Sequence, residues 1–268
     1  MNFPKSELYN DVAEWFQREG FTAMVYDPRG VGASDGSPPN EINPAKQTED
    51  IHDAVTFLKS LPAVDPKRIA VWGYSLGAAE CLAAAAVDQR IKLVVAICPS
   101  GNPWGGHERN DERNRVLARV MRDRESRLRG NSPFELPFMG ESEASIFNIR
   151  VLRGRMSEQP YEAVRTGLAS VDGYRNVITV QTLLHMASWN IMELMPMISP
   201  TPVFLILADE DEIRRVREGG REIYEALGEP KQLHVEPDRG HLDILTNDER
   251  FPAIMKRQVD YLMKYFGE

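Results

Sequence analysis

Ser75 sits at the centre of Gly73-Tyr74-Ser75-Leu76-Gly77, a G-x-S-x-G. A serine hydroxyl at pH 7 is a poor nucleophile until a neighbouring base takes its proton. An imidazole suits that task, and it needs a carboxylate to hold its tautomer and stabilise the imidazolium. The chain offers His241 in Asp238-Arg-Gly-His241, and two acids, Asp209 and Asp211, in Ala208-Asp-Glu-Asp-Glu212. The order along the chain is serine, acid, histidine. The other histidines fit less well: His52 and His107 lie in polar helical stretches, His185 in a long insertion and His234 inside a strand. Asp209 ends a strand, whereas Asp211 lies in the turn beyond it, from which a carboxylate reaches across to the histidine loop. Asp211 is therefore the chosen acid and Asp209 the reserve.

These residues need elements to carry them. Ile69 to Trp72 reads as a short buried strand, and the alanine-rich run to Val87 as a helix. Strand, sharp turn and helix is the setting that exposes a nucleophilic serine. A turn that tight leaves no room for side chains at its flanks, so Gly73 and Gly77 are both expected to be required. Ser75 then stands at a helix N-terminus, where the Leu76 N–H and the helix dipole face a developing oxyanion.

Further strands are expected at Phe21–Tyr26, Ile91–Ile97, Thr201–Ala208 and Lys231–Val235. Helices are expected at 6–20, 44–61, 213–227 and 251–266. Alternation of this kind means an α/β fold with a doubly wound, mostly parallel sheet. Its catalysts gather at the C-terminal ends of the strands, where Ser75, Asp211 and His241 all fall. The loop after Tyr26 contains Gly30, Gly32 and Gly36, but their spacing does not match a phosphate cradle and no helix follows immediately. Arg29 in that loop reads as a structural ion-pair partner, and His52 as solvated.

The alternation stops for about a hundred residues. The core is expected over 1–103 and 197–268, with 104–196 as a helical lid. Lid helices are expected at 107–129, 160–168 and 176–198. The first is highly charged with both signs mixed, which reads as a solvated face. The last carries Met186, Trp189, Met192 and Met195 at helical spacing. Such residues are commonly core, but in an insertion between two sheet strands they also suit a flexible apolar substrate wall. The expected substrate-binding set is Tyr74, Trp104, Met186, Trp189 and Met192.

The whole composition excludes several classes. A net charge of −8 over 268 residues argues against nucleic acid or an anionic membrane as partner. No apolar run approaches a membrane span, and the first residues lack a signal-peptide core. The two cysteines, Cys81 and Cys98, lie in apolar surroundings and read as buried thiols of a reducing compartment, taken as the cytoplasm. No cluster has metal-ligand spacing, so neither metal nor organic cofactor is implied.

Asp27-x-Arg-Gly-x-Gly-x-Ser34, Gly-Tyr-Ser-Leu-Gly77, Ala-Asp-Glu-Asp-Glu212 and Gly240-His241 together resemble the α/β-hydrolase superfamily, more closely its dienelactone-hydrolase-like branch. Glu41-Ile-x-Pro44 before Gln47-x-x-Asp50 is similar to fungal polyketide transferases and thiohydrolases of secondary metabolism. That resemblance implies a serine enzyme that releases or transfers an apolar, polyketide-like acyl chain from a small-molecule ester or thioester. It also implies three N-terminal strands and a His-Gly oxyanion loop that are not seen here, so Met1 reads as an internal methionine of a longer member. The alternatives are a catalytically impaired hydrolase-fold protein with a binding role, and a lyase or isomerase on the same scaffold.

Overall fold

Leu93-Val-Val-Ala-Ile97 and Val203-Phe-Leu-Ile-Leu-Ala208 contain no polar side chain, and every residue in both is buried. Continuous apolar runs of this kind belong to parallel strands covered on both faces. The computed structural model describes residues 10–101, 110–140, 147–148 and 174–267. In chain order its elements are α1 (Asn10–Arg18), α2 (Pro44–Ser60), β1 (Ala70–Tyr74), α3 (Leu76–Val87), β2 (Leu93–Ile97) and α4 (Asn110–Leu128). Then come β3 (Glu135–Pro137), β4 (Met139–Gly140), β5 (Phe147–Asn148), β6 (Val177–Thr179), α5 (Gln181–Ala187) and a 3-10 helix (Met192–Ile198). The chain closes with β7 (Val203–Ala208), α6 (Arg214–Ala226), β8 (Lys231–Glu236) and α7 (Phe251–Phe266).

The main sheet runs β1-β2-β7-β8 with every pairing parallel. Its register sets Tyr74 opposite Ile97, Ile97 opposite Ile206 and Ala208 opposite Glu236, which aligns the C-terminal ends of the strands. Side chains alternate between two apolar layers. Val94, Ala96, Val203, Leu205 and Leu207 pack under α2, α3, α6 and the 3-10 helix. Leu93, Val95, Ile97, Phe204, Ile206 and Ala208 pack under α1 and α7. Helix α3 is apolar nearly all round because it is buried nearly all round, between the sheet, α2 and the 3-10 helix.

Three expectations are corrected here. Phe21–Tyr26 forms no strand, and among the described residues β1 is the edge of the sheet. A strand needs a partner backbone about 4.8 Å away. Instead a cleft of about 760 Å³ separates this segment from β1, lined by Phe16, Ile51, Gln47 and Val71 among others. The helix expected over 176–198 is broken into β6, α5 and the 3-10 helix. Val177-Ile-Thr179 pairs antiparallel with β3, and Pro196 withholds a backbone donor further on. The 3-10 helix also crosses the expected lid boundary: Ile191, Met195 and Ile198 are buried in the layer around α3.

The rest of the described insertion has its own small core. Val120 of α4, Leu136, Phe138, Ile178, Val180 and Leu183 form a cluster that reaches Ile42, Leu76 and Leu242 of the main body. Arg115, Arg119, Arg122, Arg124 and Glu125 of α4 are exposed, as its mixed signs suggest, whereas Arg127 is half-buried against Glu41 and Asp123 is buried. This carboxylate is fully buried and accepts hydrogen bonds from Phe134 N–H (2.7 Å) and Gln181 Nε2 (2.6 Å). The lid helix expected at 160–168 lies outside the described residues. Among those described, no helix is long and apolar enough to cross a membrane.

Candidate active site

Between β1 and α3 the chain turns through one residue. Ser75 has φ 57° and ψ −120°, a conformation that side chains rarely adopt. Its backbone N–H donates to the Ile97 carbonyl at 2.8 Å, which ties the turn to β2. A Cβ on Gly73 would lie 2.4 Å from the Gly77 carbonyl oxygen, so a side chain there is impossible without moving the turn. The expectation for Gly77 does not hold: a Cβ there would meet nothing closer than Glu80 Oε2 at 4.0 Å. The tightness is one-sided, because the strand residue faces helix backbone whereas the helix residue faces a longer gap.

The Ser75 side chain makes no capping bond to α3. Its Oγ lies instead 2.9 Å from His241 Nε2. His241 Nδ1 lies 2.8 Å from Asp211 Oδ2, and Asp211 Oδ1 accepts the Ile213 N–H at 2.8 Å. A carboxylate at Nδ1 keeps the proton on that nitrogen and leaves the Nε2 lone pair for the serine hydroxyl. Ser75, His241 and Asp211 are all buried, which strengthens each contact. Asp209 is elsewhere: its carboxylate accepts the Arg239 N–H at 3.4 Å and helps hold the turn after β8. Leu76 is the first residue of α3, so its N–H has no partner within the helix and is free to face an oxyanion.

His241 is held through its backbone from two sides. The Tyr74 hydroxyl donates to the His241 carbonyl, and the Tyr74 ring lies 5.0 Å from the imidazole. Tyr74, expected from sequence to line the substrate, is thus a buried prop for the histidine loop. Glu212 Oε2 accepts the His241 N–H at 2.6 Å. Burial raises the Glu212 carboxyl above its usual range, and the hydrogen bond from His241 offsets only part of that. Sequence reasoning passed over Glu212, although its place beside Asp211 was a usable signal.

Cys98 follows β2, fully buried and with φ 47°. Among the described residues its sulfur, an Asp211 oxygen and a His241 nitrogen lie within 4.8 Å of one another. That donor set would suit zinc, but two of its members already serve each other in the relay. Burial, and then the charge of Asp211, push the Cys98 thiol well above its usual value.

The other expected site residues divide. Met186 packs against the insertion's cluster and Trp189 against both that cluster and the α3 layer. Leu76, next to Ser75, belongs to the insertion's cluster, and Leu242, next to His241, packs against it. Met192 belongs to the α3 side, where its sulfur would be 2.9 Å from a Cβ at Gly101. Met195 is fully buried there, so neither faces the cluster over Leu76. Trp104 lies outside the described residues. Arg29 pairs with Asp50, with Nε 2.9 Å from Oδ2, as the sequence suggested. His52 is not solvated but half-buried, with Nδ1 3.0 Å from Asp88 Oδ2.

Residues 6–253 match the model of the alpha/beta hydrolase family. A thiohydrolase from Arthrinium phaeospermum, apmlB, is 47% identical over 270 residues, covering 100% of this chain and 87% of the relative. The polyketide transferase grgF of a Penicillium species is 39% identical over 266 residues, covering 99% and 86%. The crystal structure of the alpha/beta hydrolase GrgF from Penicillium sp. sh18 superposes with a TM-score of 0.85 at 37% identity, covering 100% of this chain and 88% of that one.

Proposed function

The chain belongs to the alpha/beta hydrolase family, and from that we propose that it is a serine enzyme transferring an apolar acyl group from an ester or thioester. The observation that carries this is the unbroken hydrogen-bond chain from Ser75 Oγ through His241 to Asp211. Ser75 Oγ attacks the substrate carbonyl while His241 Nε2 takes its proton. The tetrahedral oxyanion is met by the Leu76 N–H. Collapse breaks the bond to the leaving alkoxide or thiolate, which takes the proton back from His241. Water or an alcohol then attacks the acyl-Ser75 ester, with His241 again acting first as base and then as acid.

The small-molecule substrate is read as a polyketide-like acyl chain of fungal secondary metabolism. Relatives named thiohydrolase and polyketide transferase support that class. The insertion's apolar cluster, resting on Leu76 and Leu242 with Met186 and Trp189 against it, supports an apolar chain as its occupant. The insertion is read as the lid, with the 3-10 helix reassigned to the core. Two buried free thiols fit a cytoplasmic setting. The intact relay favours an enzyme over the binding-protein alternative.

A fluorophosphonate probe should label Ser75, and Ser75→Ala should abolish labelling and lower turnover by on the order of 10⁶. Undiminished turnover in Ser75→Ala would refute the nucleophile. A panel of acyl thioesters with and without an alcohol acceptor separates hydrolysis from transfer.

A further inference from the structure

The histidine of a relay must be placed by its own backbone before a carboxylate can orient its ring. Three observations meet at that backbone. The Glu212 carboxylate accepts the His241 N–H at 2.6 Å, inside the protein. At Gly240, immediately before His241, a Cβ would lie 2.3 Å from Glu212 Oε1, so a side chain there would have to displace that carboxylate. Glu212 also directly follows Asp211, so one turn carries both the acid that orients the ring and the acid that holds the chain beneath it.

We propose that Glu212 is a positioning residue, a carboxylate latch that fixes the His241 backbone so that Nε2 stays within reach of Ser75. This rests on the reading of His241 as the base for Ser75. A buried carboxylate with no function in the site would be a liability, because desolvating an anion is unfavourable. Here the anion is satisfied by a backbone donor of the catalytic loop. A charged acceptor makes a stronger bond than a neutral one. Among the described residues, the groups that face Glu212 are Asp211 beside it, His241 opposite and Cys98 from the end of β2. Arg217 of α6 reaches the same turn, 3.5 Å from the Asp211 carbonyl. Because burial lifts the Glu212 carboxyl, acid protonates it earlier than an exposed glutamate. The latch is therefore closed above that raised pKa and loosens as pH falls through it.

The test compares Glu212→Ala, Glu212→Gln and wild type, each first shown to be folded by near-ultraviolet circular dichroism. The readouts are the rate of fluorophosphonate labelling of Ser75 across pH and the hydrogen exchange of the His241 amide. Glu212→Ala should label about 10- to 100-fold more slowly at neutral pH, the effect of losing one charged hydrogen bond, and its His241 amide should exchange faster. Glu212→Gln keeps a neutral acceptor oxygen and should label at a rate between those of Glu212→Ala and wild type at neutral pH. It should also lose the acid-side decline that protonation of Glu212 adds in wild type. A folded Glu212→Ala that labels at the wild-type rate, or an acid limb identical in Glu212→Gln and wild type, overturns the proposal. A wild type that takes no label refutes the Ser75 reading instead. The latch is then judged by exchange alone, and a Glu212→Ala amide no faster than wild type overturns it.

Discussion

The sheet and the insertion are held together by different physics. In the sheet, parallel ladders fix each strand end, and two apolar layers are filled by alternate residues of the same strands. The described residues of the insertion form strands of two or three residues and one small cluster, and they lean on polar ties. Asp123 links α4 to α5 and to Phe134. Glu41 on the main body binds Arg127 at 2.8 Å, Thr179 at 2.9 Å and His185 at 3.3 Å. Ser75, Asp211 and His241 all stand in the turns and loops at the strand ends of the first region. Reaction geometry tolerates little displacement, so the proposed relay suits the rigid ladders, whereas the lid role proposed for the insertion suits a region whose bonds can exchange.

The largest effect that could break this contrast concerns the relay. Asp211→Asn leaves the imidazole in the wrong tautomer and should lower turnover by about 10⁴. Asp209→Asn should change it by no more than a few-fold, because Asp209 holds a turn and not the ring. Steady-state kinetics on a p-nitrophenyl ester would show this, and a reversed order would move the acid to Asp209.

A smaller effect tests the insertion. Each CH₂ buried contributes about 0.8 kcal/mol, at most about fourfold in kcat/KM. The specificity constant should therefore climb with acyl length beyond acetyl in wild type. The climb should flatten in Met186→Ala and Trp189→Ala while activity on acetyl esters persists. A flat profile in wild type would remove the insertion from substrate binding.

The smallest effects set two glutamates against each other. Glu80 of α3 is buried beside the cleft at β1, and burial pushes its carboxyl up to about 7. Its folded form binds the proton more tightly than its unfolded form. Its contribution is thus greatest below about pH 4.5 and is lost as pH rises towards 7. Glu80→Gln should raise the melting temperature at pH 8 and change little at pH 4. Glu41 shows the opposite sign. Burial alone would raise it, but hydrogen bonds from His185, Thr179 and Arg127 hold it at about 2. Its stabilisation is present above about pH 4.5 and lost as pH falls towards 2. Glu41→Gln should lower the melting temperature at pH 7, by an amount that shrinks in acid. Calorimetry of both variants across pH checks the two signs, and the same sign for both would erase the contrast.

Much of this was legible along the chain because the cause was local. Gly73, Ser75 and the apolar run before them specify a turn whose geometry one residue dictates. The uninterrupted runs at Leu93–Ile97 and Val203–Ala208 specify buried parallel strands, since no half-exposed strand would omit polar residues. Phe251–Phe266 shows a helical stripe, and the helix spans those residues. Spacing also brought Ser75, Asp211 and His241 to the same end of the sheet. Tertiary structure alone decided the rest. Phe21–Tyr26 has a strand's composition but, among the described residues, no strand partner. Val177-Ile-Thr179 became a strand because β3 lies beside it, and Met192 and Met195 joined the core because the 3-10 helix docks on α3. Whether Tyr74 and Glu212 touch substrate or hold His241 depends on contacts made 167 and 29 residues away. A sequence encodes local preference directly, but it encodes such contacts only through the fold that brings distant residues within hydrogen-bond reach.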